Sequence, residues 1–142
     1  RRRGGRVQVN IDLARAPEMA GPVEAWVREN RGAHGPVTIT QHNAANADLS
    51  ARLADVPGHG FLFDASCGRG LATDEWPQPL AGSPCGYAGG LGPDRIAHEL
   101  PRIAHAASGT SFWIDMESSL RDEVDNFRLT RALTVLRQIR RG

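Results

Sequence analysis

A parallel-stranded α/β domain is the fold this sequence predicts, and three observations carry the expectation. Short apolar or β-branched runs alternate with stretches whose apolar residues recur at helical spacing. The alternation repeats about five times along the chain, the pattern of strand–helix units in a parallel sheet with right-handed crossovers. Several runs also end on polar residues or glycine-rich loops, as strands do where their carboxyl ends carry a ligand site.

Arg6 to Asp12 (RVQVNID) begins with valines at alternating positions and reads as a strand ending on Asn10 and Asp12. Residues 1–5 ahead of it are expected to be a disordered or truncated N-terminal end, because the arginines at 1–3 lack aromatic interleaving. Residues 6–142 are expected to form one α/β domain. Pro22 opens a helix with Val23, Trp26 and Val27 on one face, and Gly32 and Gly35 close it. Val37 to Thr40 is the second strand, ending on Gln41, His42 and Asn43. A helix capped by Asn46 or Asp48 then presents Leu49, Leu53 and Val56 to the sheet. Phe61 to Phe63 is the third strand, and Leu71 to Ser83, with Pro77, Pro79 and Gly82, reads as loop. A short fourth strand, about Gly86 to Ala88, runs into a helix opened by Pro93 and Asp94 and carrying Ile96, Leu100, Ile103 and Ala107. Pro101 lies inside that stripe and is expected to bend or break the helix. Phe112 to Met116 is the fifth strand, and Asp125 or Asn126 caps a last helix whose inward stripe is Leu129, Leu133, Leu136 and Ile139.

With 142 residues the chain is one domain or part of one. A complete eight-unit barrel needs about 250 residues, roughly 31 per unit, so this length matches about four and a half units. Two architectures follow: part of a (β/α)8 barrel, or a five-stranded doubly wound sheet. A hydrophobic content of 40% with no run of 18 apolar residues excludes a helical membrane span. A net charge of +1 argues against a nucleic-acid partner. Two cysteines, Cys67 and Cys85, are too few for a disulfide framework and lack metal-ligand spacing, so a reducing cytoplasm is expected. The five histidines form no metal-spaced pair, and His34, His59, His98 and His105 read as surface or loop positions.

Chemistry is expected at the strand ends. Asp64 follows an apolar strand and precedes a loop carrying Gly68 and Gly70, whereas Gly89, Gly90 and Gly92 lie between the fourth strand and its helix. Glycines leave the backbone open and adopt positive φ, so successive amides can converge on an anion beside a helix N-terminus. Each has a plainer alternative: a capping or salt-bridged Asp64, and simple turn glycines. His42 sits at a strand end where a substrate could reach it.

At FLFDASCGRG, YAGGLGPDRIAHEL and FWIDMESSLRD the chain resembles the C-terminal part of phosphoribosylanthranilate isomerase, a TIM barrel of the tryptophan pathway. That family ends its sixth strand on an aspartate before a GGxG-type loop. Its seventh strand ends on AGGL before a proline-bearing helix start, and its eighth on a D-x-S-S-G-x-E type segment. The likeness covers most of Phe61 to Ile139, which would make RVQVNID the fourth strand and PVTITQHN the fifth. It implies an Amadori rearrangement of N-(5-phosphoribosyl)anthranilate without metal or organic cofactor. Asp64 would be the general acid that protonates the ring oxygen, a role for which an apolar strand end is a suitable setting. Gly68, Gly70, Gly89 and Gly90 would approach the phosphate, and Ser118 and Ser119 would complete its cup. Arg69 departs from the family, where a small residue stands, and reads either as a ligand of phosphate or of a substrate carboxylate or as a solvated loop arginine.

The family's base is a cysteine at the end of its first strand, which this chain lacks. Cys67 stands at a loop-glycine position and Cys85 begins a strand, so neither replaces it. ESSLR in place of SSGVE puts Ser119 at a glycine position and Arg121 at an acid. The chain alone is therefore expected to be inactive. A non-catalytic or divergent sugar-phosphate-binding barrel domain is the alternative. A half-barrel whose open sheet edges are covered by a second copy or by missing N-terminal units is a third reading.

Overall fold

Five strands, each followed by a helix or a loop, form one parallel sheet in the order β1-β2-β3-β4-β5. They are β1 (Arg6–Val9), β2 (Val37–His42), β3 (His59–Phe63), β4 (Cys85–Tyr87) and β5 (Phe112–Ile114). The helices are α1 (Ala20–Glu29), α2 (Ala47–Leu53), α3 (Ile96–Ala106) and α4 (Leu129–Ile139). This computed structural model describes residues 5–31, 37–64, 74–80 and 82–140. The fold is thus α/β, a parallel sheet common to both expected architectures, and no described helix is long and apolar enough to cross a membrane.

Alternation along the strands separates two faces. Phe61, Phe63, Cys85 and Tyr87 share one of them, by the pairing of Phe61 with Cys85 and Phe63 with Tyr87. Phe61 packs with Val23 and Val27 of α1 and Leu49 and Leu53 of α2, whereas Phe63, Cys85 and Tyr87 pack with Ile103 of α3. Helix α4 lies beside α3. On the other face, Gly60 and Gly86 underlie the indole of Trp113. A Cβ on Gly86 would overlap that ring, and one on Gly60 would sit 3.2 Å from it. The indole also meets Arg6, whose guanidinium carbon is 4.5 Å from the ring centroid. Arg6 and Trp113 belong to opposite edge strands, which a flat sheet would hold about 19 Å apart. The sheet is therefore curled, with Trp113 and Arg6 on its concave side and the helices on its convex side.

Several expectations are corrected. β1 stops at Val9, short of Asp12, while β2 runs on to His42 and β3 starts at His59. α1 begins before Pro22, after a 3-10 turn over Pro17–Met19, and ends where the Asn30 amide side chain donates to the Trp26 carbonyl. Gly32 and Gly35 lie outside the described residues. Asn43, not Asn46 or Asp48, caps the turn into α2 by accepting from the Asn46 amide. Asn46 is instead fully buried and ties three segments together, accepting from the Leu13 amide and donating to the carbonyls of Ile11 and Gln41.

α3 runs unbroken through Pro101, starting at Ile96 after a turn over residues 93–95. Pro101 and Ala97, whose carbonyl loses its donor, are both exposed, so water can satisfy that group while Ile96, Glu99 and Ile103 hold the helix down. α4 begins at Leu129. Asp122, rather than Asp125 or Asn126, organises the chain before it by accepting from the amides of Val124 and Asn126. The helix is rotated relative to the expected stripe: Val135 is buried, whereas Leu129, Leu133 and Leu136 are 63%, 40% and 52% exposed. His59 is buried, not a surface position, with its ring between the hydroxyls of Thr38 (2.9 Å) and Thr40 (3.0 Å).

Candidate functional site

Because all five strands run the same way, their carboxyl ends form one rim, and the described site candidates lie there. Asp64 directly follows β3 and is 6% exposed. Its amide donates to the His42 carbonyl and its carboxylate accepts from Gln41 Nε2 at 3.0 Å. It lines a cavity of about 250 Å³ together with His42, Asn43, Glu75, Trp76 and Ala88. Burial lowers the pKa of His42, which favours the neutral imidazole, and its Nδ1 is a buried atom with no hydrogen-bond partner among the described residues. The ring is held edge-on to Phe63, 5.2 Å between centroids.

The far wall of this cavity is a loop pinned from beneath. Trp76 Nε1 donates to Glu99 Oε2 at 2.8 Å, the Tyr87 hydroxyl donates to the Pro77 carbonyl at 2.9 Å, and Arg102 donates to the Asp74 carbonyl. Glu99 is 1% exposed yet charged. Burial alone would raise its pKa, but hydrogen bonds from Trp76, His98 and Arg95 and the charge of Arg102 outweigh that and take it down to about 2.

A second cavity, about 500 Å³, opens at the ends of β4 and β5 and is lined by Gly90, Gly92, Asp94, Arg95, Ser119 and Arg131. Gly89 and Gly90 adopt φ of 115° and 62°, values that favour glycine. Gly92 is required by close approach, since a Cβ there would lie 2.5 Å from that of Ser119. The Ser119 hydroxyl donates to the Leu91 carbonyl, and Arg131 reaches the carbonyls of Ser119 and Arg121. Arg95 is neutralised by Glu99 at 2.9 Å, whereas Arg131 makes no ion pair among the described residues. What could meet an anion here is the Arg131 guanidinium beside the positive-φ Gly90; the Ser119 proton is committed to Leu91, and the Asp94 carboxylate shares the lining.

The sequence-derived candidates therefore divide. Asp64 and His42 line the first cavity, and Gly90 and Ser119 the second, with Gly89 adjoining both Ala88 and Gly90. Ser118 opens a 3-10 turn over Ser118–Leu120 and is exposed. Gly68, Arg69 and Gly70 lie outside the described residues, as does Cys67. Sequence reasoning missed Trp76, Glu75 and above all Arg131, which belongs to a helix with no motif of its own. Arg95, directly after the proline-bearing helix start, did carry a positional signal. Among the described residues no group of three or more His, Cys, Asp or Glu could hold a metal. Comparison with protein-family models, curated proteins and solved structures returns no match for the chain.

Proposed function

We propose that the chain is a sugar-phosphate isomerase domain of the phosphoribosylanthranilate isomerase type, a cytoplasmic half of a (β/α)8 barrel. The observation that carries this reading is the rim itself. A buried aspartate at the end of β3 stands beside a glycine, serine and arginine cavity at the ends of the next two strands. The architecture has its own support. A doubly wound sheet reverses its strand order at a switch point, whereas here the order is sequential, the helices share the convex face, and the sheet curls until β1 and β5 side chains touch.

In this reading the phosphate sits in the cavity of Gly90, Ser119 and Arg131, and Asp64 protonates the ring oxygen of the phosphoribosyl group. The remaining barrel units or a second copy of the chain cover the open edges of β1 and β5. Isothermal calorimetry with ribose 5-phosphate is the test. Arg131→Ala and Gly90→Val are expected to weaken binding about tenfold or more, each by loss of a charge-assisted contact or of the positive φ. Asp64→Asn should leave the affinity within about threefold, since it removes a proton donor and not a phosphate ligand. Wild-type affinity in both cavity variants would remove the phosphate cup from the reading.

A further inference from the structure

The rim carries a second carboxylate that the resemblance leaves without a role. Asp115 follows β5, and its amide donates to the Tyr87 carbonyl at 3.0 Å, just as the Ala88 amide donates to the Phe63 carbonyl at 2.9 Å. These bonds continue the register in which Leu62, Gly86 and Trp113 lie side by side, so the next row on the same concave face is Asp64, Ala88 and Asp115. The two aspartates flank Ala88, whose side chain is a single methyl and lines the Asp64 cavity. Two strand spacings set their Cα atoms about 10 Å apart. Asp115 is half-buried, and its carboxylate makes no hydrogen bond or ion pair among the described residues. Directly below the row, the Trp113 indole fills the concave face, so a ligand between the carboxylates is held at their level.

We propose that Asp115 is the base of this rim, taking the sugar's C2 proton while Asp64 serves as the acid. The assignment rests on the isomerase reading above. Asp64 gives its proton to the ring oxygen as the C1–O bond breaks and the amine lone pair forms a C=N bond. The Asp115 carboxylate takes the C2 proton, the C–H electron pair becomes the C1=C2 bond, and the C=N π pair returns to nitrogen. Asp115 then returns its proton to C1, while the enol hydroxyl gives its proton to the Asp64 carboxylate as the C2 ketone forms. Both residues end as they began, and no co-reactant is consumed. The cysteine of the resembled family then becomes dispensable to this chain.

Ribulose 5-phosphate in D2O isolates the proton abstraction, because exchange α to its carbonyl needs a base and no ring opening. Loss of the α-proton signal is followed by NMR, with binding followed by calorimetry. Wild-type chain is expected to exchange the proton, and Asp115→Asn to slow exchange about 100-fold or more at unchanged affinity. Asp115→Glu should retain part of the rate, and circular dichroism melts show that the variants are folded. Wild-type exchange in Asp115→Asn overturns the assignment. Ribulose 5-phosphate that binds wild type without exchanging also overturns it, while leaving the phosphate cup standing. Absence of binding to wild type overturns the isomerase reading and the base with it.

Discussion

Gly86 shows how one missing side chain organises a face. The Trp113 indole lies where a Cβ would be, and a rigid ring cannot step aside, so Gly86→Ala should cost about 1–3 kcal/mol of stability in urea unfolding. Gly21 is the contrasting site: it lies in α1 with nothing within 4 Å of an added Cβ. Gly21→Ala should stabilise by up to about 1 kcal/mol, through helix propensity. In the sequence these two glycines look alike, and only the strand pairing that brings Trp113 across β4 separates them. The same limit applies to His59 and Arg131. Threonines 19 and 21 residues away decide that His59 is buried and bonded, and the return of α4 to the rim decides that Arg131 lines the second cavity. Asp64 was legible because its signal is local, an apolar strand followed at once by a carboxylate.

At the scale of elements, α3 acts as the support of the first cavity. Its buried Glu99 gathers Arg95, Arg102 and the Trp76 indole, and through Trp76 it fixes the loop that walls the cavity. Glu99→Ala removes the one acceptor those donors share. It should cost about 3 kcal/mol in chemical unfolding and loosen the loop, read as faster amide exchange at Trp76 and Glu75. Unaltered exchange there would separate α3 from the cavity wall. The strands were readable to within two or three residues because β-branched and aromatic runs mark them directly. The helix ends were less so, since competing Asn and Asp residues stand near each start and tertiary contacts choose among them: Asn43 over Asn46, Asp122 over Asp125. α4 keeps only part of its expected stripe: Ile139 is half-buried at the cavity it lines with Ile96 and Leu100 of α3, but Val135 takes the buried place and its three leucines face out.

For the molecule as a whole, acid stability follows from the titratable groups held in its interior. Burial takes His59 from 6.5 down to about 4. Below pH 6.5 the unfolded chain therefore takes up a proton that the folded one refuses, and stability falls until about pH 4, by on the order of 3 kcal/mol. His42 adds to the same trend. Glu99, depressed from 4.5 to about 2, contributes stability that is complete above pH 4.5 and lost as the pH drops toward 2. Urea midpoints should thus decline in two steps, and a flat profile between pH 7 and 5 would show that His59 is not held neutral. The exposed leucines of α4 and the open edge strands further predict concentration-dependent self-association in sedimentation, weakened by Leu133→Glu. Finally, the tryptophan laid across two glycine strands works as a floor. Anything bound above it can be lengthened only outward, away from the plugged end. On the proposed function, a ligand held above this floor should be limited in length toward the sheet and tolerant of bulk that trails into solvent.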